Sequence, residues 1–155
     1  MTEDYDNRYT RCVMGGTFDR FHSGHESLLS TAAKMSKEVF VGIVSEELGK
    51  SMFINKEFSE KIEPYVIREA AVKNFMAQFK QTKIEVAPLY DPWGPAPIDP
   101  RADLIVVSQE TKIGADKINQ MRRENKLKVL DIIIIPWIMD DEGEIISSTK
   151  LRKNM

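Results

Sequence analysis

The residues best suited to chemistry lie in one glycine-rich stretch, Gly15-Gly-Thr-Phe-Asp-Arg-Phe-His-Ser-Gly-His25. His22 and His25 are three positions apart, so in the first turn of a helix they would project from one side, with Gly24 leaving room between them. Imidazoles placed in this way can donate hydrogen bonds to phosphate oxygens. They are the two histidines of the chain, and their pairing favours a functional role over core packing. A zinc site is the alternative, although two histidines without a nearby third ligand make a poor one.

The same stretch stands where a first strand turns into a first helix. Arg11 to Met14 is a short, largely apolar run that predicts the strand. The glycines of the stretch that follows allow a backbone to approach a bound group closely, and Thr17 offers a hydroxyl. A helix beginning near Gly24 presents free N–H groups and partial positive charge to an anion. The sequence therefore predicts a phosphate site, followed by a helix whose buried face carries Leu28, Leu29, Ala32 and Ala33.

Buried apolar runs alternate with helical patterns along the rest of the chain, which predicts an α/β fold. We expect a Rossmann-like three-layer domain with a mainly parallel five-stranded sheet, because parallel neighbours need crossovers of helix length. After the first strand, the predicted strands are Val39 to Val44, Ile84 to Leu89, Leu104 to Val107 and Val129 to Ile135. The predicted helices are one that begins near Pro64, with Val72, Phe75, Met76 and Phe79 on its inner face, and Ile113 to Asn125, with Lys117, Arg122 and Arg123 on its outer face.

Two segments are predicted to be loops. Ser45 to Lys61 shows no hydrophobic period and is read as one long loop. Asp91 to Pro100 holds several prolines, which cannot form a regular element. After Pro136 the pattern is less regular, and Ser147 could cap a short last helix.

Length and composition narrow the classes of protein. The 155 residues, 42% of them hydrophobic, predict a single domain over residues 11–155 after a polar tail of residues 1–10. A net charge of −2 argues against general binding to nucleic acid or to anionic membranes. The single cysteine, Cys12, excludes an intramolecular disulfide and fits a reducing cytosol, and we interpret it as a packing residue. Because no apolar run approaches the ~20 residues of a membrane span and the N-terminus is polar, a cytoplasmic protein is expected.

The glycine-rich stretch resembles the HxGH signature of the nucleotidyltransferase superfamily. A second motif supports this resemblance, since Ile146-Ser-Ser-Thr-Lys-Leu-Arg152 is similar to the ISSTxxR element that begins the last helix of such proteins. Hydroxyls and free N–H groups there could hold the β- and γ-phosphates of a nucleotide, with Lys150 or Arg152 adding charge. An ordinary helix cap with a basic tail is the alternative interpretation of that motif.

Within the superfamily the chain resembles the archaeal and eukaryotic form of phosphopantetheine adenylyltransferase, over Arg11 to Arg152. The further matches are Val44 to Glu47, Asp91 to Gly94 and Val107 to Thr111. At the last of these the bacterial form has arginines, whereas this chain has Ser108, Glu110 and Thr111. The segment before Ser147 differs from the ending of glycerol 3-phosphate cytidylyltransferases, which favours adenylyl over cytidylyl transfer.

The resemblance implies transfer of the adenylyl group of ATP to 4′-phosphopantetheine, with Mg²⁺ arriving on ATP and these small molecules as partners. It implies catalytic roles for Thr17, His22, His25 and Lys50, and acceptor binding by Thr17, Lys50 and Arg68. Lys56 could replace Lys50, and a surface salt bridge is the alternative interpretation of Arg68. The implied nucleotide-binding residues are Gly16, Thr17, Phe18, His25, Ser108, Glu110, Ser147, Ser148, Thr149 and Arg152.

Two other functions remain open from the sequence. One is a cytidylyltransferase that acts on a small phosphorylated acceptor, and the other is a sensor that binds nucleotide or coenzyme without turnover. Trp93 and Trp137 are interpreted as core or loop anchors without a functional role, and the oligomeric state is left open.

Overall fold

Five parallel strands form a single sheet in a computed structural model that describes residues 9–52 and 62–136. The strands are β1 (Tyr9–Gly16), β2 (Ser36–Val44), β3 (Lys83–Leu89), β4 (Leu104–Ser108) and β5 (Asp131–Ile135). Their order in the sheet is β3-β2-β1-β4-β5, and each neighbouring pair is parallel. The predicted Rossmann-like α/β fold with a five-stranded sheet is therefore confirmed.

Helices cover both faces of the sheet. Successive side chains of a strand point to opposite faces, and the two sets belong to two hydrophobic clusters. The helices are α1 (Ser23–Met35), α2 (Glu46–Met52), α3 (Tyr65–Met76) and α4 (Lys112–Glu124), and a 3₁₀ turn spans Gln109–Thr111. Cys12 and Met14 of β1 share one cluster with α1 and α3, whereas Val13 shares the other with α2 and α4. This explains the continuous apolar runs of β2 and β4, which are buried on both sides.

The order of the strands determines where a ligand can bind. From central β1 the chain moves to β2 and β3 on one side, and later returns to β4 and β5 on the other. The change of direction between β1 and β4 is a topological switch point, where parallel sheets leave a crevice at the carboxyl ends of their strands. The glycine-rich stretch begins at this point, because β1 ends at Gly16.

The prediction of one long loop from Ser45 to Lys61 is wrong for residues 46–52, which form α2. The side-chain oxygen of Ser45 accepts the main-chain N–H of Leu48 at 3.1 Å, which is the bond of an N-cap. Glu46 and Glu47 follow in the first turn, where carboxylates stabilise a helix. A serine followed by two acidic residues is typical of a helix start and was the sequence signal for α2. The helix is too short to show a hydrophobic period.

The structure corrects the predicted outer face of α4. Arg122 is 1% exposed, while Arg123 is exposed as expected. Arg122 belongs to the buried stripe of that helix with Ala115, Ile118 and Asn119. These four residues follow the i, i+3, i+4, i+7 spacing of a single helix face, so periodicity alone could have placed the arginine inside.

The remaining elements agree with the predictions apart from their ends. β1 begins at Tyr9, inside the segment that the sequence assigned to the tail, and Pro64 is the N-cap of α3. Residues 91–100 form turns without a regular element. Over residues 9–52 and 62–136, no helix has the length and apolarity that crossing a membrane would require. The predicted cap at Ser147 lies outside the described residues.

Candidate active site

The turn that follows β1 has an unusual backbone conformation. Phe18 and Arg20 adopt φ angles of 55° and 51°, a left-handed region that non-glycine residues rarely occupy. Between them, Asp19 is fully buried, and its carboxylate accepts the main-chain N–H of Glu63 at 2.8 Å. The Glu63 carboxylate in turn accepts the N–H of Arg20 at 2.9 Å. These bonds tie the turn to the segment before α3, which supports the strained conformation.

His22 and His25 are held together at the start of α1. The Nδ1 atom of His22 accepts the main-chain N–H of Gly24 at 3.0 Å, so the imidazole acts as the N-cap. The N–H of His22 donates to Nδ1 of His25 at 3.2 Å, which completes a reciprocal capping box. The two rings stack with their centroids 3.9 Å apart. The predicted pairing of the histidines on one side of the helix is therefore confirmed.

These hydrogen bonds also determine where each imidazole carries its proton. A main-chain N–H can only donate, so both Nδ1 atoms present a lone pair and the proton of each neutral ring is on Nε2. Burial lowers the pKa of His22, and burial together with repulsion from His22 lowers the pKa of His25 to about 3. At neutral pH both rings are uncharged and each offers one Nε2–H donor.

Gly24 is required by the position of the His22 ring. A Cβ atom at Gly24 would lie 2.8 Å from Cε1 and 3.0 Å from Nδ1 of His22. Aromatic rings surround His25 on the other side, with the centroids of Phe18 and Phe21 each 5.4 Å from its own. The prediction of Phe18 as a nucleotide contact is not tested by these distances, which show the ring packed on His25 and only 3% exposed.

Arg68 lies beneath the turn and is 1% exposed. Its guanidinium donates to three main-chain carbonyl oxygens, those of Glu63 at 2.8 Å, Thr17 at 3.0 Å and Val44 at 2.7 Å. A weaker ion pair with Glu46 spans 3.5 Å. The alternative interpretation of Arg68 as a surface salt bridge is therefore wrong. Its predicted role in binding the acceptor stays a prediction, and the structure assigns it a bracing role between the ends of β1 and β2.

A cleft of about 440 Å³ opens beside this turn at the carboxyl ends of the strands. Gly16, Thr17 and Glu110, three of the residues predicted to bind ligands, line it together. Most of the other residues that line the cleft are apolar. The sequence did not indicate them, because they come from distant segments of the chain. Trp93, which was given no functional role, is among them. The wall further includes Val13, Phe40, Leu89, Pro92, Pro95, Ala96, Ile105, Val107, Gly114, Ala115 and Ile118.

Leu89 occupies the point of the cleft where three backbones meet. A Cβ atom at Gly42 would lie 2.4 Å from Cδ2 of Leu89, and one at Gly94 would lie 2.7 Å from the same atom. At Gly15 the corresponding distance, to Cδ1, is 3.0 Å. Because Gly15 in β1, Gly42 in β2 and Gly94 in the loop after β3 have no side chains, they leave the space that Leu89 fills.

The other predicted residues lie around the same end of the sheet or outside the described part of the chain. Lys50 is exposed in the last turn of α2. Ser108 ends β4, and its main-chain N–H donates to Oγ1 of Thr111, a cleft residue, at 3.1 Å. Among residues 9–52 and 62–136 there is no group of three side chains arranged to hold a metal ion. Lys56, Trp137, Ser147, Ser148, Thr149 and Arg152 lie outside the described residues.

A parallel α/β sheet with a cleft at its switch point, beside a glycine-rich turn and a histidine-capped helix, defines an α/β protein of the Rossmann-like class. The cytidylyltransferase-like family model matches residues 13–154. The chain belongs to the cytidylyltransferase-like family and, within it, to the phosphopantetheine adenylyltransferases.

Two relatives support this assignment, and one solved structure supports the fold. The phosphopantetheine adenylyltransferase of Methanopyrus kandleri is 37% identical over 94% of this chain and 90% of its own length. That of Pyrobaculum aerophilum is 33% identical over 94% of this chain and 92% of its own length. A protein of unknown function from Archaeoglobus fulgidus superposes with a TM-score of 0.70 and 25% identity, covering 89% of this chain and 100% of that one.

Proposed function

We propose that this chain transfers the adenylyl group of ATP to the phosphate of 4′-phosphopantetheine, giving dephospho-coenzyme A and pyrophosphate. The observation that carries the proposal is the continuity between Thr17 and the apolar cleft. A phosphate bound at the glycine-rich turn would leave space for a long, weakly polar chain in that cleft. The names of the relatives support the same substrate pair.

The reaction needs positioning more than proton abstraction. An oxygen of the acceptor phosphate, already anionic at neutral pH, attacks the α-phosphorus of ATP. The bond from that phosphorus to the oxygen that bridges to the β-phosphorus breaks, and pyrophosphate leaves. No general base is required to activate this nucleophile. Holding both reactants in line could lower the barrier by roughly 7–11 kcal/mol.

The residues at the turn would divide the work between the two substrates. Thr17 would align the acceptor phosphate with the α-phosphate. His25 would donate from Nε2 to the α-phosphate as negative charge increases in the transition state, and His22 and Lys50 would assist. A neutral donor with a fixed tautomer suits this role, because it keeps its direction without a proton being lost or gained.

Other residues would complete the two binding sites. Arg68 would act on the acceptor side, from beneath the turn. Mg²⁺ would enter with the β- and γ-phosphates of ATP, and a cytoplasmic location agrees with the buried thiol of Cys12. The nucleotide side would consist of Gly16, Phe18, Ser108, Glu110, Ser147, Ser148, Thr149 and Arg152.

The test is the release of pyrophosphate when purified protein receives Mg²⁺, 4′-phosphopantetheine and either ATP or CTP. We expect pyrophosphate and dephospho-coenzyme A in equal amounts with ATP, and at least tenfold slower release with CTP. Faster release with CTP would make the chain a cytidylyltransferase. Binding of nucleotide without pyrophosphate would make it a sensor, and either result would overturn the proposal.

A further inference from the structure

Arg122 is a buried cation whose hydrogen bonds all go to main-chain carbonyl oxygens. Its Nε atom donates to Lys128 at 2.7 Å, and Nη1 donates to Ala96 at 2.7 Å and to Asp99 at 2.8 Å. Nη2 donates to Ala102 at 3.2 Å. A residue that brings four carbonyl groups from two segments to one planar group is a structural clamp, because each bond fixes a different point of the backbone.

Three of those carbonyls, those of Ala96, Asp99 and Ala102, belong to residues 90–103, the proline-rich segment that connects β3 to β4. The amide of Asn125, at the end of α4, adds a bond to the carbonyl of Pro97 at 3.2 Å. On the far side of the segment, Asp99 accepts the guanidinium of Arg11 at 2.8 Å. The segment contains turns of its own, in which the N–H groups of Ile98 and Asp99 donate to Pro95 and that of Ala102 donates to Asp99. The side chains of Arg122, Asn125 and Arg11 attach these turns to α4 and β1.

The clamp joins two walls of the cleft. The proline-rich segment contributes Trp93 and Ala96 to the lining, and α4 contributes Ala115 and Ile118. Arg122 is one helical turn after Ile118 and bonds directly to Ala96. We infer that Arg122 is a positioning residue that sets the separation of these walls and thereby the fit of the acceptor's chain, an inference that rests on the proposed function.

An arginine is needed for this role. Its planar fork reaches carbonyls in several directions with a fixed geometry, whereas a lysine offers one ammonium on a flexible stem. A lysine has three N–H donors on a single nitrogen, so at position 122 it would leave at least one of the four carbonyls without its present donor. The loop would then move relative to α4, which would weaken the contacts between the cleft and the acceptor's chain without moving the glycine-rich turn.

The experiment compares Arg122→Lys with the unchanged protein in steady-state kinetics with ATP and 4′-phosphopantetheine. We expect KM for 4′-phosphopantetheine to rise at least tenfold, while KM for ATP and kcat stay within about twofold. Val72→Ala is the matched control, since Val72 is fully buried under the opposite face of the sheet. It should lower thermal stability without separating the two KM values.

Equal KM values for the acceptor in Arg122→Lys and the unchanged protein would overturn the inference, as would the same change in the Val72→Ala control. Asn125→Ala is the second variant, for the case that Arg122→Lys does not fold. We expect its KM for the acceptor to rise two- to threefold, and an unchanged KM would overturn the inference. Calorimetric titration of 4′-phosphopantetheine into the same proteins gives a readout without turnover. If the protein binds 4′-phosphopantetheine but shows no turnover, weaker binding in the variants would reject the proposed function and leave this inference standing. Binding of unchanged strength in the variants would reject this inference.

Discussion

The main-chain N–H of His22 fixes the tautomer of His25 by donating to its Nδ1 atom, and the N–H of Gly24 fixes the tautomer of His22 in the same way. The two imidazoles thus behave as one rigid, uncharged unit with both Nε2–H groups available. A charged pair stacked at 3.9 Å would repel itself in a partly buried place. This arrangement leads to the first two predictions.

His25 should remain neutral well below pH 6.5, the ordinary pKa of histidine. We expect its Hε1 NMR signal to stay unchanged from pH 8 to pH 5, because burial and the neighbouring His22 lower its pKa to about 3. The signal of His22 should titrate with a midpoint below 6.5, because burial lowers its pKa. The assignment is simple because the chain has two histidines. A signal that titrates with a midpoint near 6.5 would contradict the description of the site.

The same shifts predict how stability depends on pH. The unfolded chain gains protons on its histidines as the pH falls below 6.5, while folded His25 does not until about 3. The free energy of unfolding should therefore decrease as the pH falls from 6.5 towards 3. Above pH 6.5 the contribution of His25 to stability should be complete. Urea unfolding at pH 7.5 and pH 5 measures the effect, which should be smaller in His25→Asn.

Removing the donor on His25 should affect turnover rather than nucleotide affinity. His25→Ala should lower kcat about 100- to 1000-fold with saturating ATP, the usual loss for one well-placed transition-state donor. Pyrophosphate release measures kcat, and nucleotide titration should give a dissociation constant within about threefold of the unchanged protein. A variant with near-normal kcat would remove His25 from the mechanism.

Adding one methyl group at Gly24 should displace the His22 ring. Gly24→Ala places a Cβ atom 2.8 Å from Cε1 of His22, so we expect kcat to fall about 100-fold. The helix itself should be little affected, because alanine is the better helix former. Ser30→Ala on the same helix is the matched control, with kcat expected to remain within twofold. Equal activities of the two variants would show that the ring position has no importance for catalysis.

Arg68 should matter for stability as much as for turnover. Arg68→Met leaves three carbonyl groups without their donor, and buried unsatisfied groups cost about 1–3 kcal/mol each. We expect the free energy of unfolding, measured in urea, to fall by about 3 kcal/mol or more. Arg123→Met, at an exposed position of α4, should change it by less than about 0.5 kcal/mol. A stable Arg68→Met protein would mean that the guanidinium serves ligands alone.

Local chemistry explains why the sheet and the histidine turn could be predicted. The strands are apolar runs buried on both faces, and glycines followed by a helix start are visible in a few adjacent residues. The interiors of α3 and α4 were harder, because Arg68 and Arg122 occupy buried positions at helical spacing where a cation is unexpected. Their partners are carbonyl groups, which carry no sequence signal.

The cleft could not be predicted because it exists only after assembly. Leu89, Trp93 and Ile118 come from three elements and share no motif. Each alone is typical of an ordinary core or loop position. Only the strand order, which places β4 beside β1, brings their segments to one crevice.

The packing of Leu89 against three glycines has a consequence for how this fold could change its substrate. The depth of the cleft depends on positions 15, 42, 89 and 94 jointly, since a side chain at any of the glycines would occupy volume that the leucine now fills. These positions are far apart in the chain, and the side chain of Leu89 brings them into contact. A lineage that needed a longer or shorter acceptor would have to alter them in concert, with residue 89 changing size first.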